Sequence, residues 1–271
     1  MRMEELKMNE NQDNIIKTRL SEFIEMSLHN ALAAHDEMKM YDMPLMGIAS
    51  ADDPFFQKFR ELGIVGPGFV LPQEWLPGAK SVISYFLPFT KEVCDTNRAP
   101  GLPSEEWVSA RIDGEVFNNE VRSFLIEMLK QMSADAVAPC LDPRFKVVNR
   151  ISNWSERHVA YAAGLGTFGL HRALITEKGT AGRLGSVVTT LELKPTKRIY
   201  KSYDEYCLYL TQGKCGACMR RCPPLAITDK GKDNKICEEY IGREILSRFA
   251  PRYGCAKCSI SVPCESKNPA V

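Results

Sequence analysis

Apolar residues at Ile15, Ile16, Leu20, Phe23, Ile24 and Leu28 recur at helical spacing with polar residues between them, so residues 1–40 read as helical. Residues 44–100 are broken by Pro54, Pro67, Pro72, Pro77 and Pro88 and read as irregular. Within them, residues 80–87 form a β-branched and aromatic run expected to be a buried strand. Residues 104–132 carry the clearest helical pattern. Ser104 followed by Glu105 and Glu106 marks its start, and Ile112, Val116, Val121, Phe124, Leu125 and Met128 form an apolar face. A short strand is expected around Val147 and Val148, and a helix over 155–163 that ends at Gly164. The glycine-rich turn 163–169 leads to strands over 173–176 and 184–193. Helix and strand patterns interleave, which predicts one α+β domain over residues 1–200. The polar stretch 194–201 with Pro195 marks a boundary, after which residues 201–271 form a second, smaller domain.

Composition adds little to this picture until the cysteines. Hydrophobic residues are 44% and charged residues 25% of the 271, ordinary for a chain with a real core. Lys and Arg number 35 against 34 Asp and Glu, so no basic footprint predicts a nucleic-acid partner. The N-terminus lacks a basic start followed by an apolar run, and no apolar stretch reaches about 18 residues. Neither a leader nor a membrane partner is expected, and the expected location is the cytoplasm.

Ten cysteines in such a chain are too many for chance, and disulfides are disfavoured in a reducing compartment. Cys94 and Cys140 stand alone and read as small buried residues. The other eight fall in two groups, Cys207-x7-Cys215-x2-Cys218-x3-Cys222-Pro223 and Cys237-x17-Cys255-x2-Cys258-x5-Cys264. Cys215-x2-Cys218-x3-Cys222-Pro223 keeps the last three members of the bacterial ferredoxin run, in which the fourth cysteine serves the neighbouring cluster. A tight loop reaches three corners of a cubane, and a cysteine leaving it into a helix points away. This spacing predicts two [4Fe–4S] clusters, one on Cys207, Cys215, Cys218 and Cys264, the other on Cys222, Cys237, Cys255 and Cys258. Lys214, Arg220 and Arg221 are candidates for raising a cluster's potential. The competing reading is two zinc sites with four cysteine ligands each, since C-x2-C pairs serve both metals.

The order of these cysteines, with 235–241 and 253–258 between them, resembles the C-terminal half of epoxyqueuosine reductases. Residues 156–169 are similar to that family's Ala-Gly-Leu-Gly-x-x-Gly stretch, Leu184-Gly185-Ser186 to its next strand, and residues 76–84 more loosely to an upstream piece. The family, like the related reductive dehalogenases, binds cobalamin over a nitroreductase-like fold beside a ferredoxin-like domain with two [4Fe–4S] clusters. The resemblance therefore implies a bound corrinoid that receives single electrons from the clusters and reduces a small-molecule or nucleoside-type substrate. It also implies a ferredoxin or flavodoxin as electron donor. The alternative is a carrier without its own reaction, reducing a partner protein or its corrinoid. One departure stands out. The family places an acidic proton donor just before the helix that enters the glycine turn, whereas residues 149–154 here contain no Asp or Glu. This points to a paralogue with another substrate.

On this resemblance Gly164, Gly166, Gly169, Gly185 and Ser186 are candidates for approaching the corrin, because glycine removes the Cβ that blocks close contact. A helix cap plus a tight turn explains the first three equally well. Their Gly-x-Gly-x-x-Gly spacing follows a helix, not a strand, and is no dinucleotide fingerprint. His158 and Tyr161, three apart on one helix face, are the candidate proton donors. Glu156 reads as a first-turn helix charge. His171 is either a packed residue or a cobalt ligand.

Overall fold

The computed structural model describes residues 2–271, with side chains from residue 12 onward. Helix α1 (Arg2–Met26) is followed by a short hairpin, β1 (Ala31–Leu32) and β2 (Met38–Lys39), and then by strand β3 (Leu45–Ser50). Helices α2 (Pro54–Lys58) and α3 (Pro72–Trp75) precede β4 (Ser81–Pro88). Next come α4 (Lys91–Thr96), the long α5 (Glu105–Gln131) and β5 (Ala136–Val137). The hairpin β6 (Val147–Val148) and β7 (Ile151–Ser152) leads to α6 (Glu156–Ala162), and β8 (Gly166–Phe168) pairs with β9 (Leu174–Thr176) before β10 (Gly182–Thr189).

Four of these strands form an antiparallel sheet in the order β3-β4-β10-β5. All eight residues of β4 are buried, as expected for a strand covered on both faces. Successive side chains of a strand alternate between faces. Ile83, Tyr85 and Leu87 therefore join Ile16, Leu20 and Ile24 of α1 and Phe117, Val121 and Leu125 of α5 in one apolar layer. Val82 faces the other way, into a second layer with Val159 and Ala160 of α6.

The remaining chain wraps α7 (Leu208–Gln212), α8 (Ala217–Arg221), the hairpin β11 (Ile227–Thr228) and β12 (Gly231–Lys232), α9 (Asn234–Tyr240) and α10 (Leu246–Phe249) onto this frame. Tyr200, Tyr206, Cys207, Cys218 and Val262 share the core of α6, while Ile245 and Ile260 join the layer of α1 and α5. No helix among the described residues is long and apolar enough to cross a membrane.

Three local expectations differ from what is observed. The first helix stops at Met26, and Leu28 is 89% exposed. The cause is Asn30, whose buried amide donates to the Ile24 and Tyr41 carbonyls and accepts from the Tyr41 N–H, closing the helix end against the chain that follows. Residues 44–100 are ordered elements rather than irregular chain. Two of their prolines, Pro54 and Pro72, stand at helix starts, where they lack only a donor that is orphaned anyway. Within α5, Val116 faces solvent, and Trp107, Val108 and Phe117 take its place on the buried face.

Candidate metal centre

The cysteine-bearing chain is built from short pieces that each deliver one or two thiols. Cys207 caps the start of α7, which ends at Gly213 in the left-handed conformation. Gly216, with φ 64°, starts α8, which carries Cys218 and ends at Cys222. Asp233 caps α9 by accepting from the Lys235 and Ile236 N–H groups, and so sets Cys237 one turn in. Cys255 precedes, and Cys258 lies within, a one-turn 3-10 segment that begins after Ala256, which has φ 47°.

Folding brings Cys207, Cys215, Cys218 and Cys264 around one cavity, which Leu170, His171 and Ile175 of the first 200 residues also line. Burial pushes the Cys264 thiol up to about 12, and the nearby Cys218, Cys207 and Cys215 add to the rise. Burial also pushes Cys218 up to about 12, with contributions from Cys258, Cys207 and Cys215. In the other group, burial pushes Cys255 up to about 11, and Cys258 and Cys237 reinforce it. Cys258 and Cys222 are raised by burial too, and both feel Cys237. Cys218 is within reach of Cys258, so the two groups adjoin. Among the described residues no three His, Cys, Asp or Glu side chains converge as ligands of a single metal ion.

Cations beyond those expected face the thiols. Arg220 is spent on the Cys215 carbonyl at 3.0 Å, and Arg221 on the Ile260 carbonyl at 3.1 Å. Lys232 instead opposes the rise at Cys222 and Cys258, and Lys257 that at Cys255. Lys257 is 1% exposed and donates to the carbonyls of Asn97 at 3.0 Å and Ala99 at 2.7 Å. Asn97 in turn donates to the Cys255 carbonyl at 3.0 Å, so the second group is latched to the end of α4. A lysine between two cysteines gives no sequence sign of this, because its acceptors lie about 160 residues away. Two thiols also have N–H neighbours: Ala226 N donates to Cys222 Sγ at 3.3 Å, and His171 Nε2 lies 3.4 Å from Cys264 Sγ.

The residues named for a corrin are placed differently from that expectation. Gly164, with φ 84°, closes α6 against Thr196. A Cβ on Gly166 would collide with the Ile175 carbonyl, one on Gly169 with the His171 ring, and one on Gly185 with the Tyr85 hydroxyl. Ser186 is fully buried, with Trp154 Nε1 donating to it at 2.9 Å. The space that the missing Cβ atoms of Gly166, Gly169 and Gly185 leave is filled by the protein's own atoms. His158 and Tyr161 do share a face, both against Phe168, with ring centroids 4.8 and 5.9 Å away. Burial pushes His158 down to about 4, and its Nδ1 is bonded to Ser155 Oγ at 2.7 Å, so the ring is neutral at pH 7.

Glu156 is no simple helix-end charge. It accepts from Ser186 Oγ at 2.6 Å and Cys140 Sγ at 3.2 Å, and pairs with the buried Arg122 at 3.4 Å. Burial nevertheless raises its carboxyl above the ordinary range. Cys140 is thus the donor to a carboxylate, whereas Cys94 is buried in the layer of α1 and α5. Where the resemblance places an acid, the turn of the β6–β7 hairpin presents Arg150, which pairs with Glu238 beside Cys237.

No family model matches the chain. It is 30% identical over 206 residues to the epoxyqueuosine reductase of Salmonella typhimurium, a stretch that covers 71% of this chain and 50% of that protein. The corresponding enzyme of Bacillus cereus is 26% identical over 204 residues. The chain therefore spans about half the length of the curated relatives it matches. Among solved structures, epoxyqueuosine reductase with an epoxyqueuosine-modified tRNA-Tyr stem loop superimposes with a TM-score of 0.55 at 19% identity, over 93% of this chain and 66% of that one. That relative is thus seen with an RNA stem loop, a partner not expected here from the even overall charge. A catabolic reductive dehalogenase superimposes with a TM-score of 0.55 at 14% identity, over 83% of this chain and 30% of that one. In sequence and in fold, the chain is a relative of the epoxyqueuosine reductases, and its mixed helix-and-sheet architecture is also found in a reductive dehalogenase.

Proposed function

We propose that the protein is an iron–sulfur oxidoreductase that passes electrons singly through two [4Fe–4S] clusters. The observation that carries this reading is the sorting of eight thiols into two adjoining groups of four, with Cys218 feeling thiols of both. Cys207, Cys215, Cys218 and Cys264 hold one cluster, and Cys222, Cys237, Cys255 and Cys258 the other. Adjacent clusters with thiolates between them give short electron-transfer steps, and the buried setting keeps water from the reduced iron. The nitroreductase-like and ferredoxin-like parts divide near residue 200, and the cation-braced Asn97–Ala99 segment holds them together.

The likeness to epoxyqueuosine reductases supports a reductase whose terminal electron acceptor is a corrinoid and whose substrate is a small molecule or nucleoside. When bound, a corrinoid would supply the two-electron chemistry that the clusters alone lack. Of the two candidate proton donors, the phenol of Tyr161 keeps its proton, whereas the neutral His158 can act there only as a hydrogen-bond partner. Arg150 in place of an acid supports a substrate other than epoxyqueuosine. A second reading, a carrier that reduces a partner protein, is favoured by a specific observation: the glycines of the expected corrin seat are filled by the protein's own atoms. A ferredoxin or flavodoxin is the donor in both.

Anaerobic purification from cells supplied with cobalamin, followed by metal analysis and an absorption spectrum, separates these. About eight irons and one cobalt per chain support the corrinoid reductase. About eight irons with no cobalt, even after cobalamin is added, leave the electron carrier. Zinc in place of iron would sink both.

A further inference from the structure

His171 stands in the turn between β8 and β9, is 4% exposed, and has no part in the function proposed above. Its Nδ1 accepts a hydrogen bond from the Ala173 N–H at 3.1 Å. A ring nitrogen that accepts carries no proton, so the proton of the imidazole is on Nε2. Nε2 is the atom 3.4 Å from Cys264 Sγ. The longer reach suits the larger radius of sulfur.

Both sides of this contact are held. Gly169 makes room for the imidazole, since a Cβ there would lie 2.6 Å from Cε1 and 3.0 Å from Nδ1 of His171. On the other side, Thr180 N donates to the Cys264 carbonyl at 2.9 Å, and Ala181 N to the Glu265 carbonyl at 3.0 Å. Glu265 is gripped by Arg98 at 2.7 and 3.1 Å. A ring that merely filled space would need neither the tautomer lock nor a glycine opposite it.

We infer that His171 is a positioning residue for the first cluster, its Nε2–H donating to the Cys264 thiolate and setting the potential at which that cluster accepts an electron. The inference rests on the two-cluster reading. Reduction adds one electron, delivered by the donor, to a cluster whose charge spreads onto its thiolate sulfurs. An N–H dipole aimed at one of them stabilises the more negative state more, and so raises the potential. The imidazole belongs to the first 200 residues while the thiol belongs to the tail. The bond thus joins a ligand of that cluster to the turn that directly follows the glycine-rich segment 163–169.

The test compares anaerobically reconstituted wild-type protein with His171→Phe, which keeps a ring without a donor, and His171→Gln, which restores an N–H. Iron is counted, and each cluster is titrated with dithionite at controlled potential under electron paramagnetic resonance. With about eight irons present, His171→Phe is expected to make one cluster on the order of tenfold harder to reduce, about 59 mV more negative for one electron. The second cluster's wave stays in place as the internal control, and His171→Gln recovers part of the shift. An eight-iron His171→Phe protein with both waves unmoved overturns the inference and leaves the two-cluster reading intact. Fewer than about eight irons in the wild type overturns that reading itself. If His171→Phe fails to assemble, wild-type protein exchanged into deuterium oxide decides. A deuteron coupling from histidine Nε2 in the reduced-cluster signal supports the bond, and its absence refutes it.

Discussion

Replacing Glu156 by alanine tests whether the polar cluster beneath α6 holds the fold together. The carboxylate accepts from Ser186 at 2.6 Å and pairs with Arg122 at 3.4 Å, and the Arg122 side chain is only 2% exposed. Removing one partner of a buried ion pair costs about 3–5 kcal/mol when the charge left behind has no other neutraliser. Arg122 keeps Glu115 at 2.8 Å and Asn119 at 2.5 Å, which places the loss at the lower end, about 3 kcal/mol. For a chain of this size that corresponds to roughly 6–12 °C in Tm. Glu156→Gln removes the same charge but keeps an amide oxygen to accept from Ser186 and Arg122, so it costs less than alanine, about 1–2 kcal/mol. The sign with pH follows from the raised carboxyl. Its contribution is complete below the ordinary value of 4.5 and is lost as pH rises through the higher folded value, so wild type loses ground to Glu156→Gln on going from pH 4.5 upward. Urea unfolding of the anaerobic holoprotein, followed by circular dichroism at several pH values, measures all three. A Glu156→Ala midpoint within about 0.5 kcal/mol of wild type would refute the reasoning, because Arg122 would then need only Glu115 and Asn119.

Serine in place of Cys264 or Cys258 is expected to lower iron from about eight to about four per chain, whereas Cys94→Ser and Cys140→Ser leave it unchanged; iron analysis of the four variants checks the ligand sets. Gly166→Ala drives a Cβ into the Ile175 carbonyl, which is backbone and cannot rotate away, and should destabilise the β8–β9 pairing by about 3 kcal/mol or more whether or not cobalamin is present, read as the urea midpoint. His158 is buried neutral, so stability is full above its ordinary 6.5 and falls as the pH drops through about 4, by roughly 2–3 kcal/mol. His158→Phe should flatten the profile between pH 6.5 and 4, and an unchanged slope would show that the ring titrates freely.

Much of this was legible in the chain itself. Thiol chemistry is written in spacing, because a turn of fixed length can present only so many sulfurs to one cubane, and Cys215-x2-Cys218-x3-Cys222-Pro223 carries that constraint locally. The same holds for α5, whose cap and apolar face lie within or next to its own residues, and for β4, whose β-branched and aromatic run marks it as a buried strand. The end of α1 was hidden, since Asn30 closes it through Tyr41, eleven residues further on. Tertiary structure alone decided the roles of side chains whose partners are distant in sequence. Glu156 looked like a helix-end charge until folding set Ser186 and Arg122 against it. The glycines at 166, 169 and 185 looked like room for a ligand until Ile175, His171 and Tyr85 occupied it. Periodicity reports which face of an element is buried, but not which atom from another element arrives there; that encounter set His171, read from sequence as a packed residue or a cobalt ligand, and Lys257, not singled out at all, beside the cysteines.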